Sequence, residues 1–148
     1  MRRLALAALA VCLAAPAAAQ HGTSQTPPPS DARCHRLSSV DGDTVVLPLG
    51  GATMTGLRLR VEGLDAPEMN GRCPEERALA QEARDEFARL ASPCALVTTD
   101  FLADRYGRLL ARVFTRDGQE IAALLIRRGL ARPYDGTGPR GGWCPAGR

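Results

Sequence analysis

From Leu57 to Val61 the apolar residues Leu57, Leu59 and Val61 alternate with Arg58 and Arg60, the period of a strand that lays one face on a core. The strand runs into Gly63-Leu64-Asp65-Ala66-Pro67-Glu68, where glycine and proline turn the chain and two carboxylates fall within four residues. Any fold adopted here must therefore carry a charged edge at the end of a half-buried strand. Arg60 points away from the core, toward a cleft or toward bulk water; alternation does not distinguish the two.

The remaining segments follow the same short rhythm. Cys34 to Val40 and Thr44 to Leu49 read as strands meeting at Asp41-Gly42-Asp43, since aspartate and glycine favour turns and β-branched residues favour strands. Gly50-Gly51 breaks the second, and the next strand spans about Thr53 to Gly63. A helix is expected from Pro74, with Glu75 and Glu76 at its positive end and Leu79, Ala83, Phe87 and Leu90 on one face, stopped by Pro93. Ala95 to Phe101 and Leu109 to Thr115 are strand-like on either side of a Tyr106-Gly107 turn. After Asp117-Gly118, a second helix places Ile121, Leu124, Leu125 and Arg128 together, with Gly129 as a left-handed cap and Leu130 as its apolar contact. Three strands, a helix, two strands and a helix predict an α+β fold: a five-stranded barrel of the oligonucleotide-binding (OB) type, with one helix inserted after strand 3 and one after strand 5. The domain is expected over 34–134, followed by an irregular glycine-rich tail at 135–148.

Residues 1–19 combine Arg2 and Arg3, an apolar run from Leu4 to Ala15 and small residues at Ala17-Ala18-Ala19, the pattern of a secretory signal peptide. The run is too short to span a bilayer. No stop-transfer pattern follows to favour a permanent anchor, and Val11 is bulky for a lipoprotein site at Cys12. Residues 20–33, centred on Pro27-Pro28-Pro29, read as a disordered leader. The expectation is a secreted or periplasmic monomer with no membrane attachment after cleavage. Loss of Cys12 leaves Cys34, Cys73, Cys94 and Cys144, an even number that suits two disulfides in an exported chain and allows three pairings. Zinc is disfavoured, because no C-x-x-C pair exists and His21 and His35 are the only histidines.

All nineteen basic residues are arginine, which excludes a lysine Schiff base and a Walker-type phosphate loop. Without Arg2 and Arg3, 17 basic residues stand against 16 acidic ones, so a nucleic-acid partner must be argued from local charge. Asp43 and Asp65 end two turns. If the fold brings these together, carboxylates about 4 Å apart repel by roughly 4 kcal/mol at an effective dielectric of about 20, and a proton or a cation must intervene. Oxygen donors favour calcium over zinc. Glu68 could then position or deprotonate a water, while Arg60 and Arg108 offer planar, multi-donor contact to a phosphate. An acidic cradle between two guanidinium groups suits in-line displacement at phosphorus. Substitution at any of these charges is expected to be nearly silent for folding and severe for rate.

Asp43 in D-G-D-T, Arg60 in R-V-E-G-L-D-A-P-E, Arg108 in D-R-Y-G-R and the G-L-A at Gly129 to Ala131 resemble the staphylococcal nuclease (thermonuclease) family over roughly Cys34 to Tyr134. The resemblance implies a five-stranded barrel and a calcium-dependent nuclease acting on DNA and RNA, leaving 5′-hydroxyl and 3′-phosphate ends. It implies Asp43, Asp65 and the backbone carbonyl of Ala66 as calcium ligands, and Arg60, Glu68 and Arg108 as the catalytic trio. Arg105 and Tyr106 match substrate-phosphate residues, and Tyr134 a tyrosine that lies against the nucleotide. The family's long final helix is replaced here by the glycine-rich tail ending in Trp143-Cys144, and the type member lacks cysteines. In the implied barrel the first and fourth strands are neighbours, which favours Cys34 with Cys94 and leaves Cys73 with Cys144 to pin the tail beside the loop after Glu68. Two other readings remain: a binding module of the same shape without catalysis, and a disulfide-stapled structural domain. The five filled charged positions favour the enzyme. A Ser-His-Asp or Cys-His site would depend on His35 alone.

Overall fold

In the computed structural model, which describes residues 33–49 and 56–145, the chain forms β1 (Cys34–His35), β2 (Ser38–Ser39), β3 (Thr44–Pro48), β4 (Gly56–Val61) and β5 (Leu64–Asp65). These are followed by α1 (Pro74–Leu90), β6 (Ala95–Thr98), β7 (Leu109–Phe114), α2 (Ile121–Arg127) and β8 (Arg132–Pro133). The signal and leader readings, the Gly50-Gly51 break and the expected strand start at Thr53 lie outside the described residues.

Six strands form one sheet in the order β1-β6-β7-β4-β3-β2, and β5 and β8 form a separate ladder. The sheet is mixed, because β4 and β7 are parallel while its other pairings are antiparallel. Its two end strands are consecutive pieces of one segment, parted by Arg36 and Leu37. The segment expected as a single strand therefore bends: its first half pairs with β6 and its second with β3, which curls the sheet on itself. With two helices against it, this is an α+β architecture of OB type. The strand count departs from five, because the first strand is split and the β5–β8 ladder was not foreseen.

The core joins Val45, Leu59 and Val61 of β3 and β4, Ala111 and Val113 of β7, Phe87 of α1, and Ile121 and Leu125 of α2. Proline in the first turn of α1, Glu75 and Glu76 beside it and Arg89 in the last turn fit the helix ends to their partial charges. The buried stripe of α1 is Glu76, Ala80, Ala83 and Phe87, whereas Leu79 and Leu90 lie at its margin. Ala83 and Phe87 are thus buried as expected, and at Ala83 the fit is steric. Gly42 packs so closely on α1 that a Cβ there would come within 2.9 Å of the Ala83 Cβ and 2.7 Å of the Ala66 Cβ, so small residues must face the turn. Arg128 also departs from expectation: it is exposed and pairs with Glu86 of α1, not with the apolar face of α2. Gly129, at φ +72°, caps α2. Its N–H donates to Ile126 at 3.0 Å, and that of Leu130 donates to Leu125 at 3.0 Å, the double bond of a left-handed helix stop.

Two disulfides cross-link the fold. Cys34–Cys94 spans 5.4 Å between Cα atoms at the start of β1 and β6, and Cys73–Cys144 spans 5.9 Å between the residue before α1 and the tail. No helix among the described residues is long and apolar enough to cross a membrane.

Candidate active site

Register decides where the charges meet. Thr44 lies opposite Arg60 in the β3–β4 ladder, which sets the guanidinium beside the Asp41-Gly42-Asp43 turn. Arg60 is 6 % exposed and Asp43 also 6 %, and the two form an ion pair. The same guanidinium donates to the Asp43 carbonyl at 3.2 Å and to the Leu64 carbonyl at 3.0 Å. Arg60 thus points into a covered pocket, not toward bulk water. Removing one member of such a pair leaves a buried charge uncompensated, so the expectation that these substitutions would be silent for folding does not hold for Arg60 or Asp43.

The second turn comes to the first. The Ala66 N–H donates to Asp43 Oδ2 at 3.3 Å, and Asp65 is fixed by pairing with Arg132 in the β5–β8 ladder. Burial pushes the Asp65 carboxyl above its ordinary range and the Asp43 charge adds to this, against the pull of Arg140, the Trp143 hydrogen bond and Arg60. Glu68 is exposed at the rim. Both acids meet a cation that sequence reasoning missed: Arg140 Nη1 reaches Glu68 Oε1 at 3.0 Å, and its Nε lies 3.4 Å from Asp65 Oδ1. Trp143 Nε1 donates to Asp65 Oδ2 at 3.3 Å. The one available signal was a lone arginine four residues before Cys144, in a stretch without periodicity.

Arg108 precedes β7, whose parallel register sets Leu109 beside Leu59. Its Nη1 donates to Thr44 Oγ1 at 3.2 Å, and that hydroxyl donates to Asp43 Oδ1 at 3.0 Å. Both guanidinium groups therefore converge on Asp43, one directly and one through Thr44. Asp104 orients Arg108: it accepts from Arg108 Nε at 2.7 Å and from the backbone N–H groups of Tyr106 and Arg108 at 2.9 and 3.0 Å. Burial raises the Asp104 carboxyl, but these donors outweigh it and hold it below the ordinary range. Tyr106 is exposed, with the Arg105 and Arg108 guanidiniums 4.9 and 5.5 Å from its ring centre. Arg60, Arg105, Tyr106, Arg108 and Tyr134 line one cleft of about 440 Å³. Glu68, Asp43, Arg58, Arg105 and Arg108 line an adjoining one of about 490 Å³.

Asp65 Oδ1 is buried without a hydrogen-bond partner and faces the Arg140 guanidinium at 3.4 Å, so the oxygen sits where a cation is its complement, supplied here by Arg140. With the Asp43 carboxylate beside the Ala66 backbone, the donors are all oxygen, which fits a hard divalent ion of flexible coordination such as calcium. The cluster of metal-ligand type that gathers most tightly among the described residues is instead Cys73, Glu76 and Cys144, and its sulfurs are joined in a disulfide. Glu68 is linked to Asp65 through Arg140, which contacts both.

A family model described as staphylococcal nuclease homologue matches residues 58–141. The match includes Arg60, Asp65, Glu68, Arg108 and Arg140; Asp43 lies before it and joins the site through geometry. The chain is 28% identical over 96 residues to a protein of Escherichia coli O157:H7 described as an uncharacterized endonuclease, covering 65% of this chain and 57% of that protein. It is 31% identical over 105 residues to Endonuclease YhcR of Bacillus subtilis (strain 168), covering 64% of this chain and 8% of that protein. The match thus spans a little over half of the first relative and a small part of the second.

Proposed function

The chain belongs to the staphylococcal nuclease homologue family, and from that premise we propose that it is a calcium-dependent nuclease that hydrolyses DNA and RNA to 5′-hydroxyl and 3′-phosphate products. The observation that carries this reading is the convergence of Arg60 and Arg108 on Asp43, directly beside the Asp65-Ala66 backbone. Relatives described as endonucleases support it.

Asp43, Asp65 and the Ala66 carbonyl would hold Ca²⁺, whose contribution when bound is Lewis-acid neutralisation of charge on a non-bridging phosphate oxygen. Arg60 and Arg108 approach from two neighbouring strands and donate to the equatorial oxygens as negative charge grows there. Glu68 accepts the proton of the attacking water. The water oxygen bonds to phosphorus as the bond to the 5′ oxygen breaks; the departing 5′ oxygen takes a proton from solvent to become the hydroxyl, and Glu68 returns its proton to solvent. Arg105 and Tyr106 bind a flanking phosphate, and Tyr134 lies against the nucleotide. Two disulfides fit an oxidising compartment, in keeping with a secreted or periplasmic monomer.

The test is cleavage of single-stranded and duplex DNA and RNA with calcium or with chelator, beside a Glu68→Gln variant. Chelator-sensitive cutting is expected, slowed at least about a hundredfold in the variant, with new ends that a polynucleotide kinase labels without prior phosphatase treatment. Binding without products would replace the enzyme by a binding module.

A further inference from the structure

Arg140 is the one residue that lines the Glu68–Arg108 cleft, the Arg60–Tyr134 cleft and a third cleft of about 280 Å³ around Asp65 and Trp143. Its position is built. On the far side, Arg132 donates to the Gly142 carbonyl at 2.8 Å and stacks 3.8 Å from the Trp143 ring centre. Beyond that, Cys144 is bonded to Cys73. The backbone carrying Arg140 is therefore anchored while its side chain, about one third exposed (32%), rests on two acids, one of them 61% exposed.

The guanidinium competes with the metal and the water for these acids, because its positive charge lowers the basicity of Glu68 and repels a second cation at Asp65. A Glu68 carboxylate paired through Oε1 with a guanidinium is a weaker base toward water, and Asp65 Oδ1 binds a metal ion less tightly while Arg140 lies 3.4 Å from it. When the acids are engaged, the guanidinium must find another anion. Arg58, Arg105 and Arg108 line the same cleft, so the anion drawn there is a phosphate.

We propose that Arg140 is a stored substrate ligand. Its guanidinium neutralises Asp65 and Glu68 in the resting molecule, yields them when a divalent cation binds, and then holds a non-scissile phosphate of the nucleic-acid strand. The proposal rests on the nuclease reading and names a binding residue for that site. Trp143, the single tryptophan of the chain, touches Asp65 and reports the exchange by its fluorescence.

The experiment titrates the full chain and Arg140→Gln with calcium chloride while following Trp143 emission. It then measures kcat and KM on a single-stranded oligonucleotide, with Arg140→Lys as the conservative variant. Loss of the competing guanidinium is expected to tighten calcium binding about three- to tenfold. It is also expected to lower kcat/KM about tenfold, carried by KM, with partial recovery in Arg140→Lys. A merely structural arginine would predict the opposite sign, weaker calcium binding once Asp65 and Glu68 lose their support. Calcium affinity unchanged or weakened in Arg140→Gln overturns the exchange, and an unchanged KM overturns the phosphate contact. If the wild-type chain binds calcium yet cuts nothing, the nuclease reading fails. The same titration and the Kd of uncut oligonucleotide then still decide the role of Arg140.

Discussion

Arg60 and Arg108 have the same side chain and the same proposed task, yet they sit in different dielectric surroundings. The Arg60–Asp43 pair is nearly sealed, with side-chain exposures of 7% and 8%, whereas Arg108 and Asp104 retain 20% and 16%. Arg60→Gln should therefore cost about 3–5 kcal/mol of stability and Arg108→Gln about 1 kcal/mol or less, while each slows cleavage by about a hundred- to a thousandfold. Denaturant melts beside single-turnover rates check this; equal destabilisation would mean that burial is not what separates them. The charged residues themselves were legible in the sequence, because D-G-D-T, D-A-P-E and D-R-Y-G-R each announce a turn. Their burial was not, since alternation says which way Arg60 points and not what covers it. Arg140 was illegible for a different reason. Its contact with Glu68 spans 72 residues and depends on a disulfide partner that four cysteines alone do not identify.

At the scale of elements, the turn at 104–108 is held by one carboxylate that accepts from two backbone amides and from the Arg108 side chain. Because the Asp104 carboxyl is lowered on folding, its stabilisation is present above the ordinary carboxylate range near about pH 4. It is lost as pH falls through the lower folded value. Amide exchange of Tyr106 and Arg108 should accelerate there relative to neighbouring strand amides, after correction for intrinsic rates. Asp104→Asn should abolish that acid limb. An identical pH profile in wild type and variant would remove Asp104 from this role. The helices show what pattern can and cannot predict. Pro74 and Gly129 marked their ends correctly, because both act through local backbone geometry. The face of α1 was read in part: Ala83 and Phe87 are buried as expected, Leu79 and Leu90 pack at its margin, and Glu76 and Ala80 join the stripe, which apolar spacing alone did not foresee.

Across the whole molecule, the two disulfides divide the work of holding the chain. Cys34–Cys94 closes a separation of 60 residues through the sheet, and in the chain-entropy view such a link is worth roughly 4 kcal/mol. Replacing both of these cysteines by alanine should cost about 2–4 kcal/mol in a denaturant melt while leaving the calcium response of Trp143 intact. Replacing Cys144 should alter that response first, because it frees the segment bearing Arg140. If both replacements change stability and calcium response alike, the separation of roles is wrong. The curled sheet has one more effect. Its outer strands, β1 and β2, are two residues each, and β5 and β8 are no longer. Another chain seeking to add itself in register finds only brief stretches of unsatisfied backbone, which gives crowded copies little purchase for fibrous growth.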